Sequence, residues 1–192
     1  MNASSRAAAA RMVELAPALL LGLVVVAFAL QSDRFLSLST GARILEQSAA
    51  ILVVTTGMTF VLLIGGVDLS VGAIMFVGAG LAGHLALSGQ PVAVCAAVMV
   101  GVGIAAGAVN ALLVARLRLL AFVATLATLY VGRGLGRVIT ETRAMNLPDE
   151  FLALGASRLL GIPAPVWVAA VVVVAGQFVL SSTPFGRQLY AV

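Results

Sequence analysis

The chain has no lysine among its 192 residues, so all of its basic side chains are arginines. A Walker A loop needs a lysine to reach the nucleotide phosphates, so this chain holds no such loop. It has one cysteine and one histidine. Cys95 lies in an apolar run and excludes an intrachain disulfide; it reads as a small buried hydrophobe. His84, near the end of an apolar stretch with no metal-ligand neighbour, reads as a helix-end or interfacial side chain. Without a nucleophile–base set or a metal cluster, no catalytic residue and no metal ligand is assigned, which argues against an intramembrane enzyme. Charge is also scarce, at 9% of residues, where a soluble domain carries about 25%. So few charges do not cover the surface of a water-soluble globule.

Hydrophobic residues make up 62% of the chain, and they fall in runs long enough to cross a bilayer. The expected fold is therefore an all-α integral membrane protein with about six transmembrane helices. The first is expected over Leu15–Leu30, with Pro17 tolerated in its first turn; no small-x-small cleavage site follows it as in a signal peptide. The second is placed at Ile44–Ile64, the third at Leu69–Leu87, the fourth at Val92–Val114, the fifth at Leu119–Thr140 and the sixth at Ala164–Leu180. No soluble domain, low-complexity segment or clear internal repeat interrupts residues 1–192, which read as one transmembrane domain.

The net charge is +4, but the arginines sit at segment ends rather than on one polar face, which argues against nucleic acid as a partner. Arg6, Arg11, Arg116, Arg118 and Arg187 share one side of a six-span layout, and the arginine bias places that side, with both termini, in the cytoplasm. Gly78, Gly80 and Gly83 in the third span, and Gly101, Gly103 and Gly107 in the fourth, are expected to let helices approach closely in a bundle.

Polar residues at membrane depth fall on two stripes: Gln47, Thr55 and Thr59 in the second span, and Thr125, Thr128, Gly132, Gly136 and Thr140 in the fifth. Either stripe is an interhelical packing seam or the wall of a pathway for a polar solute, and periodicity alone does not separate the two. Arg137 and Glu141 are four apart, a spacing that permits an ion pair. The stretch "FVLLIGGVDLSVGAIMFVG", Phe60 to Gly78, holds a single acid, Asp68. Gly65 and Gly66 before it weaken the helix, and its carboxylate suits the N-terminus of the next one, accepting from the N–H of Ser70 or Val71. Such a break persists at membrane depth only where protein or a cavity satisfies the freed backbone groups. Asp68 is then either a cap in a tight turn or a direct participant in transport. A secondary transporter or channel that uses Asp68 for ion coupling is the alternative this leaves open.

"GMTFVLLIGGVDLSVGAI", Gly57 to Ile74, resembles the Gly-Met-Thr … Gly-Gly-Ile/Val-Asp-Leu-Ser-Val-Gly pattern of ribose-type ABC importer permeases. "GAVNALLVARLRLLAFVATLATLYVGRGL", from Gly107, and "TPFGRQLYAV", from Thr183, are similar to two further segments of that family in the same order. Ala111, Ala121 and Ala127 depart from it, standing where glycine, proline and glycine are usual. Family members continue into a Gly-Gly-Asn segment, a loop that docks on the ATPase and more helices, so the resemblance is to the N-terminal part of a permease.

The resemblance implies a permease subunit in a bacterial plasma (inner) membrane that moves a monosaccharide (a ribose-like pentose, a hexose or a polyol) by ATP-driven alternating access. It implies as partners a cytoplasmic ABC ATPase subunit that binds the ATP, a periplasmic or extracellular sugar-binding protein, and a second permease subunit, identical or not. No cofactor is expected on this chain. Gly65, Gly66, Asp68 and Ser70 are expected at the helix break, with Asn110, Thr125 and Thr128 as candidate pathway residues.

Overall fold

A computed structural model describes residues 3–191, and the side chains of 15–191. The molecule is helical, with one two-stranded hairpin. In chain order it comprises α1 (Ala3–Gln31), α2 (Leu38–Leu63), α3 (Val71–Leu87), α4 (Val92–Ala111) extended by a π-helical turn (Leu112–Arg116), α5 (Ala121–Thr140), α6 (Asp149–Ala156), β1 (Arg158–Leu159), β2 (Ile162–Pro163), α7 (Ala164–Ser182) and α8 (Pro184–Tyr190). The all-α membrane class holds. Among the described residues, four helices are long and apolar enough to cross a bilayer: α2, α4 with its π turn, α5 and α7. Leu15–Gln31 and Val71–Leu87 are shorter apolar helices.

The chain divides into two units between Leu45 and Glu46. In the first, α1 is continuous past Pro17, which therefore lies inside the helix and not in its first turn. The rings of Phe28 and Phe35 stack with centroids 5.6 Å apart across the turn that follows. Ser37 opens α2 by accepting from the Thr40 N–H at 3.3 Å, the geometry of an N-cap.

In the second unit α3 is the central helix, packed along both α4 and α5. Its 17 residues span about 26 Å at 1.5 Å each, short of a ~30 Å hydrocarbon layer. A helix enclosed by protein need not meet lipid along its whole length. Ala73, Gly78, Gly80, Ala82, Gly83 and Ala86 are buried in it because they are small. Gly78 lies against the backbone of Met99 in α4, and Gly80 against Ile139 and Thr140 in α5. Facing them, Gly132 abuts Ala73 and Gly136 receives the Phe76 ring. Thr125, Gly132 and Gly136 are buried on this face of α5, so this part of the stripe is packed.

The other small-residue patterns turn out differently. Gly101, Gly103 and Gly107 have nothing within 4 Å of where a Cβ would stand, so they do not bring α4 close to another described helix. α3 instead meets α4 through its own Gly78, one of the small residues expected to allow close approach. On α2, Thr55 and Thr59 face outward and their hydroxyls donate to Ile51 and Thr55 carbonyls of the same helix. That stripe makes no interhelical hydrogen bond among the described residues.

Helix ends follow a shared chemistry. α2, α3 and α5 each close on a residue with positive φ: Gly65 (71°), Gly89 (82°) and Glu141 (50°). In each, that residue's N–H returns to a carbonyl three back, and the next N–H to one five back, as in a Schellman cap. Left-handed backbone at Glu141 takes its side chain off the helical line, so the expected Arg137–Glu141 pair does not form. Glu141 instead meets Arg143 at 3.5 Å, with both side chains exposed. The Thr183 hydroxyl caps α8 by accepting from Gly186 N–H at 3.1 Å. A Cβ on Gly186 would collide with the Leu180 carbonyl. The stretch between α5 and α7 contains α6 and the hairpin.

The α3–α5 seam yields a stability test. Gly136→Ala is expected to lower unfolding free energy by about 1–3 kcal/mol through overpacking on Phe76, measured by denaturation in mixed micelles. Adding Phe76→Ala should return part of that loss; additive losses would show that the two residues do not share a contact.

Candidate functional site

The candidate residues converge where α2 gives way to α3. Gly65 supplies the left-handed turn that ends α2, a conformation glycine adopts without the Cβ penalty. Gly66 lies close beneath the preceding turn: a Cβ there would be 3.2 Å from both the Val61 carbonyl oxygen and Cγ1. The chain then runs without helical bonding through Val67, Asp68 and Leu69. In hydrocarbon each unpaired backbone group costs several kcal/mol, so partners are needed.

Side chains provide them. Asp68 Oδ1 accepts from the Ser70 N–H at 2.8 Å and from the Ser70 hydroxyl at 2.6 Å. Of the two donors expected from sequence, Ser70 is therefore the one used. The Val67 carbonyl accepts from Thr125 Oγ1 at 3.2 Å; the same hydroxyl lies 2.8 Å from Ala121 O of its own helix. Ser70 Oγ accepts from Asn110 Nδ2 at 2.9 Å, and Asn110 Oδ1 accepts from Thr128 Oγ1 at 2.6 Å. A continuous run, Asp68–Ser70–Asn110–Thr128, thus ties the break to α4 and α5.

Burial makes this network consequential. Ser70 is 0% exposed, Asn110 7% and Thr125 3%. No buried side-chain nitrogen or oxygen among the described residues lacks a partner. In a low-dielectric interior such bonds strengthen one another, and an orphaned member is costly. Asn110 is the junction: its amide N–H donates to Ser70 and its amide oxygen accepts from Thr128. The π turn begins two residues later, at Leu112; such turns are rare inside helices and frequent at functional sites.

The seven candidates are not equivalent. Gly65 and Gly66 shape the turn, while Ser70, Asn110 and Thr125 are buried and bonded to one another or to the break. Asp68, half-buried, borders a cavity of about 300 Å³ whose wall includes Gly57, Met58, Met75, Gly103 and Gly107. Its Oδ2 has no hydrogen-bond partner among the described residues. Thr128 borders a separate, smaller space of about 170 Å³. The open glycines of α4 thus widen the space beside Asp68, a role their spacing alone did not reveal. His84 Nε2 donates to the Ile139 carbonyl at 2.6 Å, tying two helix ends together. No group of three metal-ligating side chains occurs among the described residues.

Helices long and apolar enough to span a bilayer, with a short small-residue helix packed along two of them and a buried hydrogen-bonded break at its start, define a multi-pass membrane protein. The family described as "Branched-chain amino acid transport system / permease component" matches residues 41–192, and the chain belongs to it. Its relatives include the ribose import permease protein of Haemophilus influenzae, 30% identical over 82% of this chain and 50% of the relative. The ribose import permease protein of Bacillus subtilis is 35% identical over 94% of this chain and 57% of the relative. The L-arabinose transport system permease protein of Escherichia coli is 33% identical over 72% and 43%. The chain spans about half the length of the relatives it matches. No solved structure matches it.

The network predicts a coupled response. Asn110→Leu is expected to cost about 1–3 kcal/mol of stability by leaving the buried Ser70 Oγ without its donor and the Thr128 hydroxyl without this acceptor. Combined with Ser70→Ala, the pair should show a coupling of about 0.5–3 kcal/mol in a double-mutant cycle. Asp68→Ala leaves the Asn110–Ser70 bond in place and should cost about 0.5–2 kcal/mol, as for loss of a cap. Additive losses for Asn110 and Ser70 would show that the bond contributes nothing.

Proposed function

We propose that this chain is a membrane-spanning part of a binding-protein-dependent ABC importer for a monosaccharide, a pentose such as ribose or arabinose, a hexose or a polyol. The observation that carries this reading is the similarity to ribose and arabinose permeases over most of the chain. On it, residues 1–192 form a single permease domain in a bacterial plasma membrane. The protein performs no covalent chemistry. The absence of lysine supports assigning ATP binding to another polypeptide, an ABC ATPase subunit on the cytoplasmic side. A sugar-binding protein would deliver the solute on the other side, and a second permease subunit would complete the pathway.

The mechanism is alternating access, in which ATP binding and hydrolysis by the partner change which side the pathway faces. A ligand or partner shifts such an equilibrium only by its differential affinity for the two states. Within this chain, Gly65, Gly66, Asp68 and Ser70 would form the joint between α2 and α3. Asn110, Thr125 and Thr128 would hold that joint to α4 and α5, while the Asp68 side of the cavity is the part open to a polar solute. The free Oδ2 of Asp68 also suits an acceptor for a coupling ion, so the test separates the two energy sources.

Membrane vesicles from cells expressing the chain from its own locus are expected to take up radiolabelled ribose or arabinose only with ATP on the cytoplasmic face and a binding protein on the other. Collapse of the proton and sodium gradients should leave that uptake in place. Uptake that follows either gradient and survives ATP removal would instead establish the ion-coupled reading. If Asp68 is a cap alone, Asp68→Asn should retain most ATP-driven uptake.

A further inference from the structure

The segment between α6 and α7 breaks two local rules at once. β1 and β2 pair antiparallel in the register Arg158↔Pro163 and Leu159↔Ile162, leaving a two-residue turn, Leu160-Gly161. Both turn residues have positive φ, 55° and 80°. Turns of this kind favour Asn-Gly or Asp-Gly, because a branched apolar side chain gains nothing from left-handed backbone. Leu160 nevertheless occupies the first position and is 85% exposed, with Leu159 beside it 60% exposed. A turn that projects into water selects the opposite residue type. A broken local rule calls for a compensating gain elsewhere.

The position of the hairpin identifies that gain. α7 starts at Ala164, directly after β2, and is 19 residues long, which makes about 28 Å, close to the thickness of the hydrocarbon layer. The hairpin therefore adjoins the end of a helix long enough to span the bilayer, where lipid headgroups would lie. Trp167, in the first turn of α7, donates its indole N–H to the Leu159 carbonyl at 3.1 Å. Tryptophan is enriched at this level because its ring is apolar and its N–H is polar. Arg158 adds a cation at the base of the hairpin, and no acidic residue occurs anywhere from 151 to 192. Leu152 and Leu154 of α6 also face outward.

We infer that the hairpin Arg158–Pro163 is a membrane-interface anchor, with Leu159 and Leu160 inserted among lipid chains and Arg158 set against lipid phosphate. Two leucines in hydrocarbon compensate for the turn strain, and the Trp167 bond fixes the hairpin to the helix that spans the bilayer. Lipid is the favoured occupant because the apolar tip continues the outward-facing surface of α7, where Val168 and Val171 are exposed. The basic charge complements phosphate.

The chain carries one tryptophan and one cysteine, which makes the test direct. In vesicles of phosphatidylcholine and phosphatidylglycerol, Leu160→Cys labelled with an environment-sensitive fluorophore should emit at short wavelength. A nitroxide near the lipid headgroup should quench it more than one near the acyl-chain end, and aqueous iodide should have little effect. The unsubstituted chain, whose Cys95 is buried, controls for background labelling. Water-like emission with strong iodide quenching would overturn the proposal, as would shielding that appears only on addition of a soluble partner protein. Leu160→Asn suits the turn better than leucine, so the hairpin should persist while Trp167 quenching by the headgroup-level nitroxide falls. Unchanged Trp167 quenching in that variant would equally overturn it.

Discussion

Backbone amides and carbonyls that leave a helix out of reach of water must find partners in the protein, and the residues between Leu63 and Val71 are where this chain meets that constraint. Two glycine N–H groups fold back on the last turn of α2. The Val67 carbonyl is met from α5 and the Ser70 N–H from Asp68. Each partner must arrive at a fixed distance, so α4 and α5 are held against the start of α3. A purely apolar contact would tolerate sliding or rotation; a hydrogen-bonded one in low dielectric does not.

The central position of α3 follows from the same constraint. With its N-terminus fixed by polar bonds to two neighbours, close approach along the rest of the helix requires small side chains. Lipid tails supply no hydrophobic drive between helices, so this approach gains from van der Waals contact instead. Gly78 provides it against α4, and Gly80, Gly132 and Gly136 provide it in the seam between α3 and α5. The α4 glycines serve a different end, leaving a smooth wall beside the one carboxylate at the break. The same residue type thus seals one side of α3 and opens the other.

Permease function in this family calls for a scaffold that is stiff in some places and open in others. Here the stiff part is the hydrogen-bonded junction of α3, α4 and α5, and the open part is the cavity bordered by Asp68. The division matters physically because motion concentrates where contacts are few. Asp68 belongs to both parts: one carboxylate oxygen is bound at the helix break, and the other has no partner among the described residues.

The amino-acid sequence by itself determined the membrane class, the positions of the apolar helices to within a few residues at most ends, and the helix break at Gly65–Ser70. Each is a local property: apolar run length, glycine's tolerance of positive φ, and an acid two residues before a helix. It also singled out Asn110, Thr125 and Thr128, through the family resemblance and their unusual polarity. The tertiary structure alone decided that these side chains turn toward the break, because a hydrogen bond 40 residues distant leaves no periodic trace. It decided likewise that Gly132 and Gly136 of the α5 stripe pack on α3 while the α2 threonines bond to their own helix. The sixfold layout hid α6 and the hairpin, since a strand of two residues carries no pattern to read. Glu141 shows the limit most simply: i, i+4 spacing predicts a pair with Arg137 only while the helix continues, and whether it continues is settled by the cap.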